Sequence, residues 1–194
     1  MSTDTQDHLV SLESTPLEVQ AVVKIVGEAF NQFGRIGMTI GGKLGGRLVI
    51  IDCESGISPG LPANRIKDAA SAILVKLVKL GAEMVAFWDE AWTVRSSSAD
   101  PAASQQAIDM ARECRLKDHP DREEVLMVTV AMPQGEWYAV AQIVRDGDMK
   151  PARLTPWQVT DTSRLHKSVG RFTGMWKQAS KETLDALVKP PSAN

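Results

Sequence analysis

The chain has 194 residues, of which 43% are hydrophobic and 24% charged, and its formal net charge is −2 at pH 7. These values are typical of a soluble domain that can bury a core, and the slightly acidic balance argues against a surface adapted throughout to nucleic acid. No apolar run approaches the roughly 20 residues that a membrane-spanning helix needs. The polar N-terminus carries no secretory signal, so we predict a cytoplasmic protein.

The first predicted helix follows a short polar segment. Residues 1–14 are predicted to be a disordered N-terminus. Thr15-Pro16-Leu17-Glu18 has the spacing of a capping box, with proline at the first helical position. Apolar residues then recur at helical spacing as far as Gly34, where we expect the helix to end.

Two strands follow, and glycines separate them. We predict these strands over residues 35–43 and 47–54. The run RLVIID in the second strand has consecutive apolar residues, which is typical of a central strand covered on both faces. The run GGKLGG, residues 41–46, lacks the phosphate-loop spacing and precedes a strand, so it predicts a hairpin turn.

The same two periodicities predict the rest of the core. The further elements are a helix from Ile66 to Val78 that ends at Gly81, a strand over 84–95, a weaker helix from Pro101 to about Arg115, and a hairpin of strands 124–132 and 136–144.

These elements predict one core domain over residues 15–145, of α/β or α+β class. We expect a single mixed sheet of about five strands, with helices packed on its faces. Residues 146–189 contain few periodic signals, and we predict a loop-rich extension that packs on the core or on another subunit. Residues 190–194 are predicted to be disordered.

Four carboxylates are candidates for a catalytic or metal site. Asp89 and Glu90, in AFWDEAWTV, lie on opposite faces of a regular strand, whereas Asp52 and Glu54 share a face at the end of another. If these strands are neighbours, Asp52, Glu54 and one of the other two would converge on Mg²⁺ or Mn²⁺. In the structural alternative, Glu90 accepts hydrogen bonds from an indole or an arginine and Asp89 lies at a solvated face.

The order helix, strand, strand with Asp52 also resembles the core of the restriction-endonuclease-like nucleases. The resemblance implies a metal-dependent nuclease. The acid-x-Lys element of that family is missing, because Glu54 stands two positions after Asp52. A metal-dependent phosphoesterase or nuclease is therefore an alternative interpretation, and the sequence leans against an enzyme.

Aromatic and basic residues provide candidates for a binding surface. Between Arg164 and Lys181 they interleave, and Arg171, Phe172 and Trp176 lie in this segment. Such a segment can track a phosphate backbone and stack on bases, or it can anchor a protein interface.

Trp88 and Trp92 are further interface candidates if they face outward. Their strand with DEAW, and the turn with HPDREEVLMV at residues 119–128, resemble uncharacterised proteins of bacteria and their phages. The resemblance implies an accessory or phage-related setting and no catalytic residue.

We therefore predict a protein that binds another macromolecule through protein–protein contacts, with no cofactor and with self-association as a further expectation. Nucleic-acid binding through the basic C-terminal segment is a second alternative. That alternative would show as a strong dependence of affinity on salt.

Overall fold

The computed structural model describes residues 9–56, 62–94, 101–113, 115–145 and 152–162, together with Gly174, Trp176 and Ala179. The helices are α1 (Leu17–Phe33), α2 (Cys53–Gly56), α3 (Ala63–Lys79) and α4 (Pro101–Arg112). The strands are β1 (Leu9–Val10), β2 (Thr39–Leu44), β3 (Arg47–Asp52), β4 (Met84–Val94), β5 (Arg122–Met132), β6 (Gly135–Val144), β7 (Arg153–Leu154) and β8 (Gln158–Asp161). Short 3-10 helices cover Leu12–Ser14 and Leu116–Asp118.

Among these residues, eight strands form one antiparallel sheet in the order β1-β8-β6-β5-β4-β2-β3, and β7 pairs with β6 beside this path. The fold is α+β, as one of the two predicted classes requires. The five predicted strands correspond to β2 through β6. The predicted count of about five strands is too low, because β1, β7 and β8 are only two to four residues long, and the sheet is antiparallel where a mixed one was expected. Strands that short carry no readable period.

Helix α1 ends where the sequence predicts but begins differently. Gly34 takes the left-handed conformation, with φ of 71°, and its N–H donates to the Phe30 carbonyl. At the other end the predicted capping box does not form. The hydroxyl of Thr15 donates to the Leu12 carbonyl at 2.7 Å, and Pro16 occupies the cap position without a side-chain hydrogen bond.

Strands β2 and β3 form the hairpin that the glycine run predicts. Leu44 pairs with Arg47 across the two-residue turn, where Gly45 and Gly46 have φ of 56° and 72°. Positive φ at both turn residues matches the right-handed twist of the strands and favours glycine.

The position of β3 corrects the prediction of a central strand. It lies at the end of the strand order, and β2 is its one partner among the strands of the described residues. The side chains of Leu48 and Ile50 are 59% and 57% exposed. An apolar run alone does not show whether a second strand lies beside it.

The described residues fall into two compact units. The first unit draws on Met1–Gly37, Trp88–Val128 and Tyr138–Thr160, and the second on Met38–Phe87, Thr129–Trp137 and Asp161–Asn194. In the first unit, α1 buries one stripe of its surface (Val19, Val23, Val26 and Phe30). In the second, α3 packs on β2, where a Cβ at Gly42 would lie 3.1 Å from Leu77 Cδ1.

The two ends of the core also differ from the predictions. Residues 9–14 belong to the segment predicted to be disordered, yet Leu9 in β1 pairs opposite Thr160 in β8. The segment 146–189, predicted to be loop-rich, contributes β7 and β8, and most of its remainder lies outside the described residues, as do residues 190–194. No helix in the part of the chain described here is both long and apolar enough to cross a membrane.

Candidate functional site

An arginine joins two carboxylates on one face of the first unit. Arg145 Nε donates to Glu124 Oε2 at 2.8 Å, and its Nη2 donates to Glu124 Oε1 at 2.9 Å. The same Nη2 lies 3.4 Å from Glu90 Oε2. The β5–β6 hairpin explains this contact, since Glu124 stands near the start of β5 and Arg145 directly follows β6. We refer to Arg145, Glu90 and Glu124 as the Arg145 cluster.

Glu90 is held in the cluster by two kinds of donor. Besides Arg145, the backbone N–H of Ile36 donates a hydrogen bond to Glu90 Oε1. Burial raises the pKa of Glu90, and the charge of Glu124 raises it further. The Ile36 N–H, Arg145 and Arg35 oppose this rise without cancelling it. The contact with Arg145 agrees with the structural interpretation of Glu90.

Asp89 differs from its predicted place. Its side chain is buried, although the structural interpretation placed it at a solvated face. Strand alternation directs it away from Glu90, as the sequence indicates. The neighbouring residues Phe87 and Val85 on the same face of β4 are also buried, so this end of that face is covered.

Asp52 and Glu54 form a local contact at the end of β3. The N–H of Glu54 donates to Asp52 Oδ1 at 3.0 Å, and both side chains are exposed. They lie in the second unit, whereas Asp89 and Glu90 lie in the first. Within the described residues, no three His, Cys, Asp or Glu side chains lie close enough together to hold a metal ion. The metal-site hypothesis stays a prediction without support from this geometry.

A tryptophan and an arginine meet beside the Arg145 cluster. The guanidinium carbon of Arg122 lies 5.4 Å from the ring centroid of Trp92, within the range of a cation–π contact. Trp92 is 39% exposed, so it faces outward as its candidate role requires. Trp92 and Glu90 share one face of β4 because they are two residues apart. We call the residue set Trp92, Arg122, Glu90, Glu124 and Arg145 the Trp92 surface.

The other predicted binding residues are less accessible or lie outside the description. Trp88 is half-buried in β4. Trp176 is also half-buried and makes contacts within the molecule. Arg171 and Phe172 fall outside the described residues. Their roles in binding stay predictions.

A cavity of about 290 Å³ opens on the other face of the same strands. It is lined by side chains from β4, β5, β6 and β8 and from the turn before β8: Thr93, Glu123, Val125, Tyr138, Val140, Gln142, Thr155 and Gln158. The odd positions of β5 point here, opposite to Glu124. Burial raises the pKa of the Tyr138 phenol, which therefore stays protonated at neutral pH.

The sequence interpretation assigned no site role to Arg122, Glu124, Arg145 or the cavity residues. One signal for the cluster was present, because the predicted β5–β6 hairpin places its two open ends together. Charges of opposite sign at those ends indicate a cross-strand pair. The cavity left no comparable signal, since its residues are ordinary in type and spread over four strands.

Comparisons with protein-family models, curated proteins and solved structures found no match for the chain. The resemblance carried by DEAW and HPDREEVLMV therefore stays a prediction.

Proposed function

We propose that the protein acts by binding another protein through the Trp92 surface. The supporting observation is the exposed indole of Trp92, fixed on a strand and covered on one side by Arg122 at 5.4 Å. Tryptophan and arginine are the residues most enriched among the anchors of protein interfaces. A side chain held in place before binding loses little conformational entropy when the complex forms.

The charges around Trp92 favour a protein over a nucleic acid. Arg122 and Arg145 are balanced by Glu90 and Glu124, so the Trp92 surface has no net positive charge when both carboxylates are ionised. A phosphate backbone needs an excess of basic groups, and binding to it weakens steeply with salt. Binding through Trp92 should instead depend on apolar burial, with an affinity that changes little with salt.

The test compares capture of proteins from an extract of the source cells by the full chain and by Trp92→Ala. Ile25→Ala is the matched control, since Ile25 is also an exposed apolar residue of the first unit. We expect a protein that the wild type and Ile25→Ala retain and Trp92→Ala loses. Calorimetry with that protein, once purified, should then show a loss of about 2 kcal/mol or more, the size of an anchor residue. Equal affinity for the wild type and a folded Trp92→Ala variant would refute the proposal.

Self-association is a second candidate, and the edge strand β3 favours it. In an antiparallel hairpin with a two-residue turn, Leu44 and Arg47 form a hydrogen-bonded pair, and such pairs alternate along the ladder. The backbone N–H and C=O groups of Leu48 and Ile50 therefore point away from β2. Natural edge strands usually carry a charge, a proline or a bulge that prevents further pairing. Residues 48–51 contain neither a charged residue nor a proline.

The charges at the ends of β3 favour a second copy of the chain as the occupant of this edge. The strand begins with Arg47 and ends with Asp52. Antiparallel pairing with itself places the basic end of each copy beside the acidic end of the other. The exposed side chains of Leu48 and Ile50 would then form one continuous apolar stripe across both copies.

Sedimentation velocity over a series of concentrations tests this candidate. We expect a dimer for the wild type and for Ile25→Lys, and a monomer for Ile50→Lys, because a lysine on an edge strand opposes pairing. A wild type that stays monomeric up to its solubility limit would contradict self-association through β3. A dimer that persists unchanged in Ile50→Lys would place the interface elsewhere.

The metal-dependent alternative has its own direct measurement. Calorimetric titration with Mn²⁺ or Mg²⁺ would give saturable heat in the wild type that disappears in Asp52→Asn. We expect no such heat, since Glu90 is engaged by Arg145 and the Ile36 N–H.

A further inference from the structure

The cavity of the first unit is lined by polar side chains, among them those of Tyr138, Gln142 and Gln158. In the described part of the chain, the Tyr138 hydroxyl and the side-chain amides of Gln142 and Gln158 make no hydrogen bond. The backbone of Gln142 is fully engaged, because its N–H donates to Thr155 Oγ1 at 2.9 Å and its carbonyl accepts from the Thr155 N–H at 3.0 Å. The strand thus fixes the position from which the Gln142 amide reaches into the cavity.

Apolar side chains line the cavity beside these polar groups. Val125 and Val140 line it beside Tyr138. Strand alternation directs these side chains to one face of β5 and β6, where they form an apolar floor. A ligand that fits this cavity would have an apolar face that packs on this floor and a polar edge that forms hydrogen bonds with the glutamine amides. Planar heterocycles combine these two properties, and proteins bind them by stacking and by edge hydrogen bonds.

The charge of the lining selects among such heterocycles. Glu123 is the one residue with a formally charged side chain among the described lining residues, and no arginine, lysine or histidine accompanies it there. Among these described lining residues, a phosphate group would find no basic partner. The lining therefore favours an uncharged ligand over a nucleotide.

The volume sets the size of the ligand. The cavity of about 290 Å³ is far larger than the space that a single bound water needs. It has room for a bicyclic base and for part of an attached sugar. Glutamine amides pair in bidentate fashion with the edge of adenine, where a ring nitrogen accepts and the exocyclic amine donates.

We propose that this cavity binds an uncharged purine, as the free base or the nucleoside, with the Gln142 amide on the polar edge of the ring. Val125 and Val140 contact one face of the ring. This site is separate from the Trp92 surface, because the two occupy opposite faces of the same strands.

Isothermal titration calorimetry of the full chain with adenine, adenosine and adenosine monophosphate tests the proposal. We expect saturable binding of adenine and adenosine and weaker binding of the monophosphate. Gln142→Leu keeps the approximate size of the side chain but removes the amide, and it should weaken adenine binding by about tenfold or more. The matched control is Gln106→Leu on the exposed side of α4, which should bind like the wild type.

Two further variants test the Tyr138 hydroxyl and the independence of the cavity from the Trp92 surface. Tyr138→Phe keeps the aromatic ring and removes the hydroxyl, so a several-fold loss would place that hydroxyl on the ligand. Trp92→Ala should leave adenine binding unchanged, whether or not protein binding through Trp92 is found.

Three results would overturn the proposal. These are no saturable heat with adenine or adenosine, equal adenine affinity in Gln142→Leu and the wild type, or tighter binding of the monophosphate than of adenosine. Circular dichroism of each variant shows that a loss of binding is not a loss of folding.

Discussion

Replacing Arg145 with methionine tests how much the Arg145 cluster stabilises the first unit. Methionine keeps much of the apolar stem and removes the guanidinium, so both carboxylates lose their charged partner. Arg145 is 45% exposed, whereas the Glu90 and Glu124 side chains are only 20% and 21% exposed. Each contact of an exposed pair contributes at most about 1 kcal/mol, but leaving half-buried carboxylates unpaired adds a desolvation cost. We expect the free energy of unfolding to fall by about 1–2 kcal/mol at pH 7.

Arg115→Met provides the matched control in the same unit. Arg115 lies 3.1 Å from Glu113 and 3.6 Å from Asp118, and all three side chains are at least half exposed. Water and salt screen such pairs, so this variant should lose about 0.5 kcal/mol or less.

Urea unfolding followed by circular dichroism gives both free energies. At pH 4 the loss in Arg145→Met should shrink, because burial raises the pKa of Glu90, and a protonated Glu90 no longer needs a cation and no longer repels Glu124. An Arg145→Met variant that loses no more stability than Arg115→Met at pH 7 would refute the importance of the cluster.

The remaining predictions concern single residues of known environment. Because burial raises the pKa of Glu90 above its ordinary value of 4.5, the folded state holds this proton more tightly than the unfolded state. The free energy of unfolding of the wild type, relative to that of Glu90→Gln, should therefore fall as the pH rises from 4.5 through the raised pKa. Urea unfolding of both proteins across that range measures this difference in free energy. A difference that stays constant or increases with pH would contradict the prediction. Gly27→Val should destabilise the fold by about 1–3 kcal/mol, because even a Cβ added at Gly27 would lie 3.4 Å from Trp157 Nε1 and valine adds two further methyl groups. An unchanged melting temperature would show that Trp157 moves aside freely. Gly46→Ala should cost about 1 kcal/mol at its φ of 72°, and hydrogen exchange in β2 and β3 should rise with it; unchanged exchange would argue against a strained turn.

Local signals in the sequence predicted the elements well because they act over a few residues. The apolar stripe of α1 and the glycine at its end follow from helix geometry, and Gly45-Gly46 follows from the backbone that a tight hairpin needs. The capping box was the exception. Its residues were present, but Pro16 and not Thr15 occupies the cap position, and the hydroxyl of Thr15 donates to the Leu12 carbonyl.

Long-range features were not predictable in the same way. An apolar strand such as β3 has one sequence pattern whether one strand or two lie beside it, so its place at the edge depended on the whole sheet order. Asp89 was placed in water because carboxylates usually are, and its burial depends on what covers that face of β4 in the assembled fold.

The candidate site was only partly predictable for a related reason. Trp92 was identified from its type and its strand, and Glu90 was assigned an arginine partner without a name. The partner, Arg145, lies 55 residues away in sequence, and no local pattern joins the two. The cavity depends on four strands and a turn, so it exists only once they are assembled.

Binding through the Trp92 surface is tested most directly by the affinity for the captured protein. This affinity is measured at low and at high salt, for the wild type and for Trp92→Ala. If the surface is the interface, the wild type should bind with nearly the same affinity at both salt concentrations, and Trp92→Ala should bind at least about tenfold more weakly. An affinity that falls steeply with salt and is indifferent to Trp92 would contradict the proposal and point to charged groups elsewhere on the chain.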